Sequence, residues 1–227
     1  VREIDELAAQ EAAFMIKTHI DYLTLAGRLK VSNLHKETTA SFSEAMEMVH
    51  YQTLNVPKEK DNEDHFLSAK FMSVVRKHAK LLDSAINHKA DYSFDYFGMC
   101  TLLNNYLNGV AEHPGSKIKR IVERPQYMFM RVAVFLNMDN IPQALKAYEL
   151  FSQKAYTHAS PTLFNAGKPK PQASSCFLLQ IPEDSIQSIY RTLEQCALIS
   201  KEAGGIGLAV HKIRAKDAII KLSLIHI

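Results

Sequence analysis

Apolar residues recur every three or four positions through most of the first 155 residues, then give way to short alternating runs. Over 4–31 the series Leu7, Phe14, Ile20, Leu23, Leu25 and Leu29, set among alanines and acids, predicts one long helix. A helix over Ser43–Leu54 is predicted next, with Ser43 as its cap and Met46, Val49 and Leu54 on one side. Pro57 and the charged run Lys58–Asp64 read as a loop. Residues 65–87 return to helical spacing through Phe66, Phe71, Val74, Val75, Leu81, Leu82 and Ile86. The aromatic stretch 91–99 is turn-rich, and a short helix is predicted at 100–108. His113-Pro114-Gly115-Ser116 has strong turn chemistry. Pro125 suits the first position of a helix, and Asn140 with Pro142 opens another that runs to about Tyr156. No period of 20 to 50 residues repeats, which disfavours a solenoid.

After residue 156 the period changes. Ala173–Ile181 has the length and composition of a buried strand, with Cys176, Leu178 and Gln180 on one face and Phe177, Leu179 and Ile181 on the other. Asp184 with Gln187 forms a capping-box pattern. The helix it opens carries Ile186, Ile189, Tyr190, Leu193, Cys196 and Ala197, and Ala203-Gly204-Gly205 ends it. Ile206, Leu208 and Val210 then alternate as a strand. Strand, helix, strand at this spacing predicts a right-handed parallel crossover, the opening unit of an α/β sheet or barrel. Two strands cannot stand alone, so the rest of that sheet is expected beyond residue 227 or on another chain.

Composition narrows the class. With 47% hydrophobic and 22% charged residues the chain reads as an ordinary globular protein, and a net charge of +3 is too small to point to nucleic acid or an acidic membrane. No apolar run approaches a bilayer span, and Val1–Glu11 lacks the apolar core of a signal peptide. The absent initiator methionine suggests a truncated start. Cys100, Cys176 and Cys196 form no CxxC pair, and an odd cysteine count without a signal peptide fits a reducing cytoplasm. The ten histidines are scattered singly, so no metal site is expected. The last six residues, LSLIHI at 222–227, match a sequencing-adaptor read-through and are expected to be an artefact.

Three features could carry chemistry, and each has a bland alternative. Cys176, after Ser174 and Ser175, would face whatever the sheet encloses, yet a lone strand cysteine is more often a small buried hydrophobe. Serines at a strand start usually satisfy backbone groups. The helix start at Asp184-Ser185-Ile186 can receive an anion, although an acid there more often caps. Ala203–Gly207, AGGIG, follows a helix where a phosphate loop would open one, so its glycines fit a tight turn or a close approach to the backbone.

SNLHKET (32–38), DYFGMCTL (95–102), ERPQYMFMRVAV (123–134), THASPTLFNAG (157–167), SSCFLL (174–179), DSI (184–186), QCALISKEAGGIGLAV (195–210) and IRA (213–215) resemble, in order, the large chain of class I ribonucleotide reductases. The likeness is nearest to the eukaryotic-type and viral branch. It implies a mainly α amino-terminal fragment: a remnant of an ATP-cone domain (1–36), a helical domain (37–156), and the first strand–helix–strand of a truncated, ten-stranded α/β barrel (157–221). Cys176 would be one of two thiols that reduce the ribose and become a disulfide. Ser160 and Ser175 would hold the substrate nucleotide, with Gly205 letting backbone lie against it. Asp184, Ser185 and Ile186 would meet a deoxynucleotide effector, and Lys201 and Arg214 its phosphates. The helix from 184 to 203 would pack against its copy in a homodimer. Asp5 and Lys36 fall where the cone meets ATP, although the cone's glycine hairpin is missing.

The resemblance further implies a ribonucleoside diphosphate substrate, a radical supplied by a small chain, and re-reduction by thioredoxin or glutaredoxin, with no cofactor held by this chain. Replacing a 2′-hydroxyl needs a two-electron donor, which paired thiols regenerated by exchange supply. Uncharged serine hydroxyls can hold ribose or phosphate without disturbing a thiol. Cys100 and Cys196 fit no such role. The radical-bearing cysteine, its acidic and amide partners, and the second dithiol cysteine are not in this sequence, and KDAIIK (216–221) departs from the glycine-containing loop expected after Arg214. The fragment is therefore expected to be inactive. The rival reading is a non-catalytic nucleotide-binding or helical interaction protein that keeps the fold.

Overall fold

The computed structural model describes residues 2–51, 65–111, 119–202 and 204–218. The chain divides into two compact units, 1–173 and 174–227. The first is mainly helical. Its elements are α1 (Arg2–Phe14), α2 (Asp21–Glu37), α3 (Phe42–His50), α4 (Ala69–Lys77), α5 (Ala79–Ala85), α6 (Tyr96–Asn105), α7 (Pro125–Asn137), α8 (Ile141–Ser152) and α9 (Ser160–Asn165), with a small antiparallel pair β1 (Gly109–Ala111) and β2 (Lys119–Ile121).

The centre of this unit is α7. Every residue from Pro125 to Val134 is buried, because the helix is apolar almost all round and is enclosed by its neighbours. Its core partners include Phe42 and Met46 of α3, Phe71 and Val75 of α4, Leu82 of α5, and Tyr148 and Phe151 of α8. Residues 157–173, read in the sequence as the start of the α/β part, pack within this unit: Leu163 and Ala166 belong to its core.

The long helix expected over 4–31 is two helices. Met15–Lys17 form a tight 3-10 turn, and the His19 ring accepts the Asp21 amide at 3.2 Å, a local bond that competes with helical pairing. Apolar spacing continues across the turn because both arms of the resulting hairpin are amphipathic. The helix expected over 65–87 also divides, at His78, whose backbone (φ −115°, ψ 16°) leaves the helical basin without Gly or Pro to mark it. Ser41, not Ser43, caps α3 and accepts the Glu44 amide at 3.1 Å; Ser43 instead gives its amide and hydroxyl to Asp83, each at 2.8 Å. Helix α6 starts earlier than expected because Asp95 caps it through the Gly98 amide at 2.7 Å. Helix α8 stops at Ser152, before Tyr156, where Lys154 takes φ 59°. The loops expected at 58–64 and 113–116, and the adaptor-like 222–227, lie outside the described residues.

The second unit is small: strand β3 (Cys176–Gln180), helix α10 (Ile186–Lys201) and strand β4 (Gly205–Ala209). β3 and β4 pair in parallel, as the crossover spacing predicts, with Cys176 opposite Gly205 and Leu178 opposite Gly207. The cap of α10 differs from the expectation. Ser185 holds an extended backbone and accepts the Ser188 amide at 3.2 Å, while Asp184 lies outside the helix. The strand expected to be buried is covered on one face only, by α10; Leu178 on the other face is 92% exposed. Among the described residues of this unit, none packs on that face.

Candidate functional site

The cysteine region is built by strand register. β3 places Cys176, exposed, directly across from Gly205. Gly205 donates its amide to the Ser175 carbonyl at 2.8 Å, and a Cβ at Gly205 would sit 3.3 Å from that carbonyl and 3.8 Å from Cys176 Sγ. The glycine thus keeps a side chain off the Ser175 carbonyl, where the fit is tight, while the sulfur itself would meet a Cβ only in ordinary van der Waals contact. Ser175 Oγ lies 3.6 Å from the sulfur. Ser175, Cys176 and Gly205 are thus brought together. Gly204 serves packing instead. A Cβ there would lie 2.6 Å from Ile199 and 2.9 Å from Phe177, so the glycine lets the end of α10 close onto the sheet.

At the other end of β3, Asp184 accepts the backbone and side-chain N–H of Arg214, and the Arg214 guanidinium also donates to the Asp184 carbonyl at 3.4 Å. Asp184, Ser185 and Arg214 are thereby gathered at the amino end of α10. The carboxylate of Asp184 and the guanidinium of Arg214 face each other. Lys201 does not join them, since at about 1.5 Å per residue it lies roughly 22 Å along the helix from Ile186. The outer face of α10 carries Ile186, Tyr190 and Leu193, each more than half exposed, while Ser188 and Thr192 are buried beneath. Cys196 and Cys100 are half-buried and free.

In the first unit, Asp5 and Lys36 meet in an ion pair at 2.7 Å, and Glu6 pairs with Lys30 beside them. Ser160 opens α9, and its hydroxyl lies 2.9 Å from the Tyr106 hydroxyl. The segment around Ser160 is fixed from below by a network that the sequence pattern did not reveal. Arg131 and Glu123, both fully buried, form a two-point ion pair at 2.7 and 3.2 Å. Arg131 also donates to the carbonyls of Ala166 and Leu163 at 2.9 and 3.0 Å, and Glu123 accepts the amide and side chain of Asn108, each at 2.9 Å. Every charge is answered, which is what makes a buried pair tolerable. The one signal available was a charged ERPQ…R series inside an otherwise apolar stretch.

A second buried cluster ties α2 to α7. Asp91, fully buried, accepts from the His35 ring at 2.7 Å and from the Gln126 amide at 3.1 Å. Arg124 donates to Thr38 Oγ1 and to the carbonyls of Thr38 and His35 at 2.8–3.2 Å. Burial and the Arg124 charge hold His88 below the usual histidine range. Lys168 is pulled down by burial first and by Arg131 and Lys119 second; it donates to Asn165 at 3.0 Å and lies over the Phe66 ring. Among the described residues no group of three His, Cys, Asp or Glu is arranged to hold a metal ion, and no helix is long and apolar enough to cross a membrane.

Residues 92–171 match the family described as ribonucleotide reductase, all-alpha domain, and residues 174–224 match ribonucleotide reductase, barrel domain. Along 219 residues the chain is 48% identical to the ribonucleoside-diphosphate reductase large subunit of Dictyostelium discoideum, covering 96% of this chain and 24% of that protein. The large subunit of Caenorhabditis elegans is 49% identical over 219 residues, 96% of this chain and 26% of that one. That of vaccinia virus (strain Copenhagen) is 47% identical over 218 residues, 96% of this chain and 27% of that one. The chain thus spans about a quarter of the length of the relatives it matches. Two successive domains of one enzyme, met in order and joined by near-half identity along the chain, leave a single conclusion: this chain belongs to the large-subunit family of ribonucleotide reductases.

Proposed function

We propose that the chain is part of a ribonucleoside-diphosphate reductase large chain and that Cys176 is one of its two reducing thiols. The single observation that carries this is the open sulfur of Cys176, set against Gly205 with Ser175 beside it. The reaction removes the 2′-hydroxyl as water and leaves hydrogen in its place. The two electrons come from two thiols, which end as a disulfide and are restored by exchange with thioredoxin or glutaredoxin. The radical that activates the sugar is supplied by a small chain. Ser160 and Ser175 hold the substrate through neutral hydroxyls, and Gly205 gives it room.

The amino end of α10 is proposed as the effector site. Asp184, Ser185 and Ile186 meet a deoxynucleoside triphosphate there, and Arg214 turns from Asp184 to its phosphates. The exposed stripe of Ile186, Tyr190 and Leu193 supports a homodimer formed through this helix. An antiparallel copy across a two-fold axis would bring Lys201 of one chain towards the Asp184 end of the other, resolving the separation within one chain. Asp5 and Lys36, already paired, are proposed to meet ATP. The protein is proposed to work in the cytoplasm, where free cysteines stay reduced.

The test uses the complete large chain with its small chain and a dithiol as reductant. Cys176→Ser is expected to abolish multiple turnover of a nucleoside diphosphate. Unimpaired turnover would overturn the assignment and favour a protein that keeps the fold without the chemistry.

A further inference from the structure

We propose that Tyr106 is a positioning residue for the substrate: it fixes the hydroxyl of Ser160 so that the serine proton points at a bound phosphate. This rests on the reading that Ser160 meets the substrate. The geometry is specific. Tyr106 is the carboxyl-terminal cap of α6, held there by its own amide to the Leu102 carbonyl at 2.9 Å. Its ring stacks on Phe164 with centroids 4.9 Å apart and planes inclined by 26°, and its hydroxyl reaches Ser160 at 2.9 Å. Ser160 and Phe164 are four residues apart on α9, hence on one face of that helix. One tyrosine therefore grips both the ring and the hydroxyl of that face.

The chemistry follows from the donors. A serine hydroxyl has one proton and two lone pairs. A phenol is the more acidic hydroxyl, so Tyr106 donates and Ser160 accepts. The serine proton is then directed away from Tyr106 and available to an acceptor such as a phosphate oxygen. Without the phenol the serine turns freely and satisfies itself on water or backbone. The Glu123–Arg131 pair holds the other side of α9 through the Leu163 and Ala166 carbonyls, so the helix itself stays in place when the phenol is removed.

The experiment is Tyr106→Phe in the complete large chain with its small chain, read as KM and kcat for a ribonucleoside diphosphate, with the melting temperature alongside. Phenylalanine keeps the stacking on Phe164. The expected result is a KM raised about fivefold, the size of one hydrogen bond, with kcat changed less than twofold and melting unchanged. Ser160→Ala is the second arm, expected to raise KM at least as much, and adding Tyr106→Phe to it should change nothing further. If Ser160→Ala leaves KM unchanged, the reading of Ser160 fails, and this inference with it. If Ser160→Ala raises KM while Tyr106→Phe does not, or if the two effects add, only the role of Tyr106 is overturned. A fall in melting temperature with KM unmoved would make Tyr106 a structural residue alone.

Discussion

The two units of this chain solve the same problem with opposite success. The first encloses Tyr127, Phe42, Phe71, Met46 and Leu67 completely and even buries a charged pair. The second buries Ile181, Ser188 and Thr192 and leaves Leu178, Tyr190, Leu193 and Leu198 more than half exposed. A helical unit with a central helix can cover its own apolar faces. A two-stranded parallel sheet with one helix can cover only one side, because parallel strands need cover on both. The candidate redox cysteine belongs to the unit that is open. An exposed sulfur on an uncovered face is suited to meet a ligand, whereas the buried polar groups of the first unit are suited to hold a shape.

Four sets of substitutions separate the two units. The largest expected effect is that of Arg131→Met, which strands a buried carboxylate at Glu123 and two carbonyls; a loss of about 3–5 kcal/mol should appear in urea unfolding followed by circular dichroism. A loss below about 1 kcal/mol would mean the pair is not buried as described. Next, Phe71→Ala in the first core should cost about 3–5 kcal/mol by the same measurement. Leu193→Ala, a truncation on the outer face of α10, should stay within about 0.5 kcal/mol, since it empties no cavity. Equal costs would erase the contrast between the units.

Ser185→Ala is expected to destabilise α10 by about 1 kcal/mol, read by amide exchange over residues 188–192. Asp184→Ala should leave the protection of the Ser188 amide unchanged, because Ser185 is the cap. The smallest effect concerns pH. His88 titrates below its ordinary value of 6.5 in the folded chain, so the unfolded chain takes up the proton first as pH falls. Its contribution to stability is present above pH 6.5 and is lost as pH drops through the lowered folded value. His88→Asn should flatten the stability of the first unit over that window, and an unchanged slope would remove His88 as its source.

Periodicity carried most of the elements but not their breaks. It ran through His19 and His78 because neither is Gly or Pro, and a side-chain bond at one and an unmarked backbone turn at the other ended the helices. The pair β1–β2 leaves no mark in the sequence, because three-residue strands are too short for an alternation to register. The capping residues were displaced by one or two positions at Ser41 and Ser185, where neighbouring serines and acids offer equivalent oxygens and only the backbone angles choose among them. At the candidate site, adjacency in sequence gave Ser175 with Cys176, and the parallel crossover correctly implied a partner strand. The resemblance added Gly205 and Arg214. Tyr106, Glu123 and Arg131 could not be read from any local pattern, because their partners lie 8 to 54 residues away.

By itself the sequence determined the helical first part, the parallel β3–α10–β4 crossover and, through its ordered motifs, the family. These depend on period, turn chemistry and residue identity, which are local properties of the chain. Only the tertiary structure decided that Cys176 faces outward against Gly205, that Arg214 rests on Asp184, and that a buried arginine holds the helix of Ser160. Register, burial and charge pairing arise from distant segments meeting, and each must be satisfied at once in three dimensions. Cys176 was visible as a cysteine on a strand; the missing side chain opposite it became meaningful only when the strands were paired.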